Sequence, residues 1–273
     1  MNVRALPFIF YFSLLFNYAH TEDKIVIFDL HGVLVKRSTL SLVWNAGIFN
    51  FFGLYNPIRI EAKLFTFLRS IESLQKETPR AFYKHKFEMP QIMCDWLMGL
   101  KTSQEIKAIV EQQFKDYPNW CDNQQYIKIA QGITNVMFTP ELHARIFFPI
   151  KNGIKLLKKV RKKVDKIILL SNWDAESFGY LLDRKDMKEI FNNCNGWIIS
   201  GIAHYMKPDP QIFECLFQQF SIDPDTDLIV YIDDQKENIT AAKNLNKKNM
   251  HCMLCNNFNF RAIKRELKTL GML

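Results

Sequence analysis

An uninterrupted run of β-branched and aromatic residues, Ile25-Val-Ile-Phe28, ends on a carboxylate, Asp29, and a glycine follows at Gly32. A strand of that composition that stops on an acid places a charged oxygen nucleophile at the carboxyl edge of a sheet, where α/β folds bind their ligands. Taken alone, Asp29 reads more readily as an aspartate capping a turn. Three later segments share the strand-then-polar-tip form: Leu169-Leu-Ser-Asn-Trp-Asp174, Met206-Lys-Pro208 and Tyr231-Ile-Asp-Asp-Gln-Lys-Glu-Asn238.

The organisation of the chain supports that placement. From Thr39 to Phe148 apolar residues recur at helical spacing, as at Ile60, Leu64, Phe67, Leu68 and Ile71, then at Ile106, Ile109, Val110 and Phe114. Pro57, Pro79, Pro90, Pro118 and Pro140 punctuate these blocks as helix boundaries do. After Pro149 the rhythm changes. Helices are expected over 150–163, 175–182, 208–220, 237–245 and 261–270, and strands over 166–170, 196–200, 228–232 and 250–254. Such alternation predicts a parallel sheet with helices on both faces. The first strand must join it across the helical stretch. The expected fold is therefore α/β: a Rossmann-like core from residues 24–37 and 149–273, interrupted by an α-helical cap over residues 38–148.

In order and form the four segments resemble the motifs of the haloacid dehalogenase-like (HAD) hydrolase superfamily, in the branch whose cap lies between the first and second motifs. The Ile232-Asp-Asp ending with Asn238 is similar to that of sugar-phosphate phosphatases and of the phosphatase domain of epoxide hydrolases. The resemblance implies that Asp29 is the nucleophile, attacking phosphorus in line to form an aspartyl-phosphate that water hydrolyses. It implies that Ser171 and Asn172 hold the phosphoryl oxygens through a hydroxyl and backbone N–H groups, and that the Lys207 ammonium neutralises both Asp29 and the transferred group. Two adjacent acids after Leu228-Ile-Val-Tyr-Ile232 are costly to set against an apolar sheet without a cation. With Asp29, Asp233 and Asp234 make a hard oxygen site suited to Mg²⁺. By the same resemblance Asp234 is the more direct ligand, Asp233 orients water or Lys207, and the backbone carbonyl of His31 is a further ligand.

His31 departs from the family pattern. Phosphatases of this kind carry an aspartate two residues after the nucleophile, which protonates the leaving oxygen and then deprotonates the attacking water. Imidazole titrates in a useful range, but a nearby Mg²⁺ disfavours its protonated form. His31 is therefore expected to be a usable base and a poor acid. Three functions follow: a Mg²⁺-dependent phosphatase of a small phosphorylated metabolite, a weakened relative that binds a phosphate ligand or a partner, and a metal-independent 2-haloacid dehalogenase. The Asp233-Asp234 pair argues against the last.

The remaining features bound the answer. A 273-residue chain that is nearly half apolar builds a full core, which excludes a disordered chain. The net charge of +8 favours anionic substrates. The densest basic run, Lys155-Leu-Leu-Lys-Lys-Val-Arg-Lys-Lys163, has the spacing of a solvated helix face. No aromatic-basic platform accompanies it, so no nucleic-acid partner is expected. Met1 to Arg4 carries a positive charge, Ala5 to Phe16 is mostly apolar, and Asn17 to Asp23 turns polar. This reads as a signal peptide over residues 1–23 and so as a secreted or periplasmic protein, the alternatives being an uncleaved tether, the only expected membrane contact, or a cytoplasmic tail. The Cys252-Met-Leu-Cys255 spacing lacks a second ligand pair and reads as buried thiols.

Overall fold

The computed structural model describes residues 22–51, 57–71, 82–83 and 87–273, so the leader expected over residues 1–23 lies almost entirely outside the described residues. Strand β1 spans Lys24–Phe28 and a short β2 spans Val35–Arg37; helices α1 (Thr39–Asn45) and α2 (Pro57–Arg69) follow. A two-residue pair, β3 (Phe82–Tyr83) and β4 (Phe87–Glu88), precedes helices α3 (Gln91–Leu97), α4 (Ser103–Asp116), α5 (Gln124–Met137) and α6 (Pro140–Arg145). The chain then runs through β5 (Phe147–Pro149), α7 (Lys151–Val160), β6 (Lys166–Ser171), α8 (Ala175–Asp183), α9 (Lys188–Phe191), β7 (Gly196–Ile199) and α10 (Ser200–Ala203). It closes with α11 (Pro210–Gln219), β8 (Leu228–Asp233), α12 (Lys236–Asn244), β9 (Met250–Leu254) and α13 (Arg261–Thr269).

The five long strands form one parallel sheet in the order β7-β6-β1-β8-β9. The expected α/β architecture, with β1 rejoining the sheet across a helical insert, is borne out. β1 is central because every one of its last four residues faces a core. Val26 and Phe28 pack with Phe178, Leu181, Ile263 and Leu267 on one face, and Ile25 and Ile27 with Ile212, Phe213, Leu216 and Ile239 on the other. Burial on both faces is why the strand reads as an unbroken apolar run rather than an alternating one. The neighbours of β1 lie to either side and their connections run in opposite directions from it. That is the topological switch point at which open α/β sheets bind ligands, and it brings the carboxyl ends of β1, β6 and β8 together.

The insert has an apolar cluster of its own, including Leu64, Phe67, Trp96, Ile106, Phe114 and Phe138. Where the chain leaves and re-enters the core, β2 and β5 pair antiparallel, Val35 opposite Pro149 and Arg37 opposite Phe147. The β3–β4 pair departs from the purely helical reading of this region; two-residue strands are too short to leave a period in the sequence. Elsewhere the differences are at element ends. Helix α11 starts at Pro210 rather than Pro208 because Asp209 is its N-cap, its side chain accepting from the Gln211 N–H at 2.9 Å.

All six cysteines are free thiols. Cys255 is buried in the core on one face of the sheet as expected, whereas Cys252 is only half-buried against the other. Burial pushes the Cys255 thiol up to about 12, with Asp234, Asp29 and Asp233 adding to the shift. No helix among the described residues is long and apolar enough to cross a membrane.

Candidate active site

Asp29 is the first residue past β1. Its N–H donates to the Ile232 carbonyl at 2.8 Å, which extends the β1–β8 ladder by one bond and fixes where the side chain starts. The carboxylate is 3% exposed and accepts at Oδ1 from Lys207 Nζ at 2.9 Å. Burial pushes its carboxyl well above the usual range; Lys207 pulls it back, and Asp233 and Asp234 push it up again.

Lys207 is as deeply buried as the sheet itself, at 1% exposure. Its ammonium donates to Asp29, to Asp233 Oδ2 at 2.7 Å and to the Leu170 carbonyl at 2.8 Å. All three N–H bonds of the ammonium are therefore used. Burial pulls its pKa down, but Asp233 and Asp29 outweigh this and leave it above the ordinary lysine value. The lysine stays charged because two carboxylates surround it.

Asn172 holds the lysine's backbone from both sides. Its Nδ2 donates to the Lys207 carbonyl and its Oδ1 accepts from the Lys207 N–H, each at 2.7 Å. The Asn172 side chain is thus occupied with the loop that carries Lys207, and its backbone N–H is the part left to the phosphoryl role that the resemblance implies. Ser171 closes β6, is 1% exposed, and its Oγ has no hydrogen-bond partner among the described residues. A buried hydroxyl at a strand tip without a partner is costly to keep, and a ligand oxygen would satisfy it.

The paired acids divide their work. Asp233 is fully buried and accepts at both oxygens, from Lys207, the Tyr231 hydroxyl, the Gln235 N–H at 2.7 Å and Asn238 Nδ2 at 3.1 Å. Burial, reinforced by Asp233 and Asp29, holds the Tyr231 phenol well above its ordinary value, so it keeps the proton that it donates to Asp233. Tyr231 was missed in the sequence, where it reads as one more aromatic residue of β8. Its position two residues before Asp233, on the same face of the strand, is the signal that could have found it.

Asp234 lies less deeply, and its place depends on Gly32. Gly32 has φ +85°, and a Cβ there would fall 2.0 Å from Asp234 Oδ2. Gly32→Ala is therefore expected to cost about 1–3 kcal/mol, from the positive φ and the collision together. Urea unfolding checks this; an unchanged midpoint would mean that the turn relaxes around the methyl.

One carboxylate oxygen each from Asp29, Asp233 and Asp234 lies within 4.8 Å of the others. Three acids against one ammonium leave negative charge in a largely buried place, and all the donors are hard oxygens. The set fits Mg²⁺. His31 sits on the turn after β1, bridged to Val35, with its ring edge-on to Phe147 at 5.3 Å.

Above these groups, between core and insert, is a cavity of about 320 Å³. His31, Asn172, Lys207, Gln235, Glu237 and Asn238 line its core end. A second buried network borders it. Asp174 caps α8 by accepting from the Ser177 N–H at 2.8 Å and also accepts from the Ser177 hydroxyl, while Trp173 Nε1 donates to Ser177 Oγ at 2.8 Å. His143 Nδ1, from the insert, lies 2.9 Å from the same oxygen. The insert is also latched to the core elsewhere. Ser200 Oγ donates to the Leu97 carbonyl at 2.6 Å, and Gly99 and Gly201 approach so closely that a Cβ on Gly99 would fall 2.2 Å from the Gly201 carbonyl oxygen.

A sequence model of the haloacid dehalogenase-like hydrolases matches residues 24–246. No curated protein matches. Among solved structures the chain is similar to a HAD family enzyme from Bacteroides thetaiotaomicron, a mutant in complex with magnesium and inorganic phosphate. The TM-score is 0.58 and the identity 17%, covering 89% of this chain and 99% of that one. It is similar to a predicted HAD-like family hydrolase from Porphyromonas gingivalis, with TM-score 0.53, 17% identity, and 91% and 99% of the two chains covered. An L-2-haloacid dehalogenase from Xanthobacter autotrophicus, with chloropropionic acid covalently bound, gives TM-score 0.49 and 12% identity over 92% and 84% of the chains.

Proposed function

We propose a Mg²⁺-dependent phosphohydrolase, from the premise set by the match over residues 24–246: the chain belongs to the haloacid dehalogenase-like hydrolase family. The observation that carries the reading is the Lys207 ammonium held between Asp29 and Asp233, with Asp234 completing a three-carboxylate cluster. A haloacid needs no such excess of acid, whereas a phosphoryl group brings further negative charge that must be met by cations. The magnesium and phosphate in the Bacteroides relative agree with it.

In this mechanism an Asp29 carboxylate oxygen attacks phosphorus as the ester P–O bond breaks, giving an acyl phosphate and an alkoxide or phenolate that takes its proton from water. Lys207 loses none of its charge through the step and neutralises the carboxylate and the transferred group together. The Ser171 hydroxyl and the Asn172 backbone N–H hold phosphoryl oxygens. His31, at the cavity end nearest the turn, takes the proton from the water that opens the acyl phosphate and restores Asp29. Asp29, Asp234 and the His31 carbonyl, with Asp233 behind, would hold Mg²⁺, which when bound would supply the positive charge that lets an anionic ester approach an anionic nucleophile. The helical insert, proposed as a cap over residues 38–148, covers the site and excludes water.

The test is release of phosphate from an aryl phosphate, whose phenolate leaves without an acid. Hydrolysis is expected to need Mg²⁺ and to stop with EDTA. In Asp234→Asn the Mg²⁺ concentration for half-maximal rate should rise at least about tenfold, in the range seen when groups of a metal site are changed. Halide release from 2-chloropropionate that EDTA leaves untouched would turn the reading to a dehalogenase. His31 favours one other outcome: phosphate and Mg²⁺ bind, a thermal shift registers both, and no ester turns over, which is a binding protein built on the same site.

A further inference from the structure

We infer that the cavity receives the apolar part of the ester, so that the substrate is the phosphate of a small hydrophobic alcohol or phenol rather than of a sugar. This deepens the phosphohydrolase reading and rests on it. The cavity is continuous from Lys207 and Asn172 to a wall supplied by the insert, in which Leu64, Phe65, Met93, Trp96, Met137 and Phe147 are the surfaces offered.

That wall has little to give a hydroxyl. The Trp96 indole N–H is directed to Ser103 Oγ at 3.0 Å, and His143 Nδ1 to Ser177. Apart from His143, whose Nε2 is the one ring nitrogen not directed to Ser177, the polar lining groups lie at the core end, where the phosphoryl group goes, or on the stem at Arg37 and Thr39 where the insert begins. A sugar ring placed against thioethers and aromatic rings would bury several hydroxyls without partners, and each such burial is unfavourable. An alkyl or aryl group loses nothing there and gains from leaving water. Methionines among the wall residues adapt to irregular apolar shapes. At about 320 Å³ the space is near the lower end of ligand sites, which span roughly 300–1,000 Å³. A short chain or a ring fits it better than a lipid tail.

The experiment uses binding as well as turnover. n-Alkylphosphonates from methyl to hexyl are titrated into the full chain with Mg²⁺, with inorganic phosphate and glucose 6-phosphate alongside. Emission from Trp96 and Trp173, both lining the cavity, reports occupancy. Affinity is expected to rise about fourfold per added methylene, the value of one buried CH₂, until the wall is reached. Glucose 6-phosphate should bind no more tightly than inorganic phosphate. Phenyl phosphate hydrolysis is measured in parallel. Hydrolysis with no slope along the alkyl series, or with the sugar phosphate favoured, overturns this inference and leaves the phosphohydrolase standing. A slope without hydrolysis supports the cavity assignment and overturns the catalytic reading.

Discussion

Replacing Asp29 by asparagine is expected to lower aryl phosphate turnover by at least about 10³-fold while the protein stays folded, the scale on which a covalent nucleophile is missed. The fold should survive because the backbone bond that seats residue 29, its N–H to the Ile232 carbonyl, does not involve the side chain. Asparagine has the same shape, and Lys207 keeps Asp233 and the Leu170 carbonyl as acceptors. The stability argument has a definite sign. Burial, with Asp233 and Asp234, pushes the Asp29 carboxyl up, so the charged form is disfavoured in the folded protein. Removing that charge should leave melting without Mg²⁺ unchanged or slightly raised, and should reduce the stabilisation that Mg²⁺ confers. The acid-stable trapping of labelled phosphoryl groups on the protein should vanish with the rate. A variant that melts like the parent and still hydrolyses the ester would show that another group attacks phosphorus.

Much of this arrangement could be read in the chain because it depends on local order. The apolar residues of β1 had to lie in a sheet interior, and the strand-helix rhythm after Pro149 required a parallel sheet to receive them. Asp29, Ser171, Lys207 and the Asp233-Asp234 pair then fell at strand ends or loops on one edge. What escaped depends on contacts between distant residues. The Asn172 side chain looks free for a ligand until the Lys207 backbone, 35 residues on, arrives beside it. Tyr231 reads as a strand aromatic until its hydroxyl meets Asp233. His143 and Asp174 lie on different layers and meet only when the insert docks. The apolar wall is a property of Leu64, Met93 and Phe147 converging, and each of them taken separately has the spacing of an ordinary core residue.

Lys207→Met should be the most destabilising single change at the site, by about 3–5 kcal/mol, the usual consequence of stripping one partner from a buried ion pair. Methionine is close in length and apolar, so the loss reports charge more than volume. Asp233 would keep Tyr231, Asn238 and the Gln235 N–H, whereas Asp29 would lose the one side-chain donor assigned to it. Two buried carboxylates would then face each other with Asp234 nearby and no ammonium between them. The double variant Lys207→Met with Asp233→Asn removes one of those charges and is expected to be more stable than Lys207→Met alone, with a coupling of roughly 1–3 kcal/mol in a double-mutant cycle. Equilibrium urea unfolding without Mg²⁺ measures both. If the double variant loses the full sum of the single changes, the lysine and the acids are independent. The site would then be a set of neighbours rather than one charge-balanced unit, and the Asn172 clamp on Lys207 would be there for the loop alone.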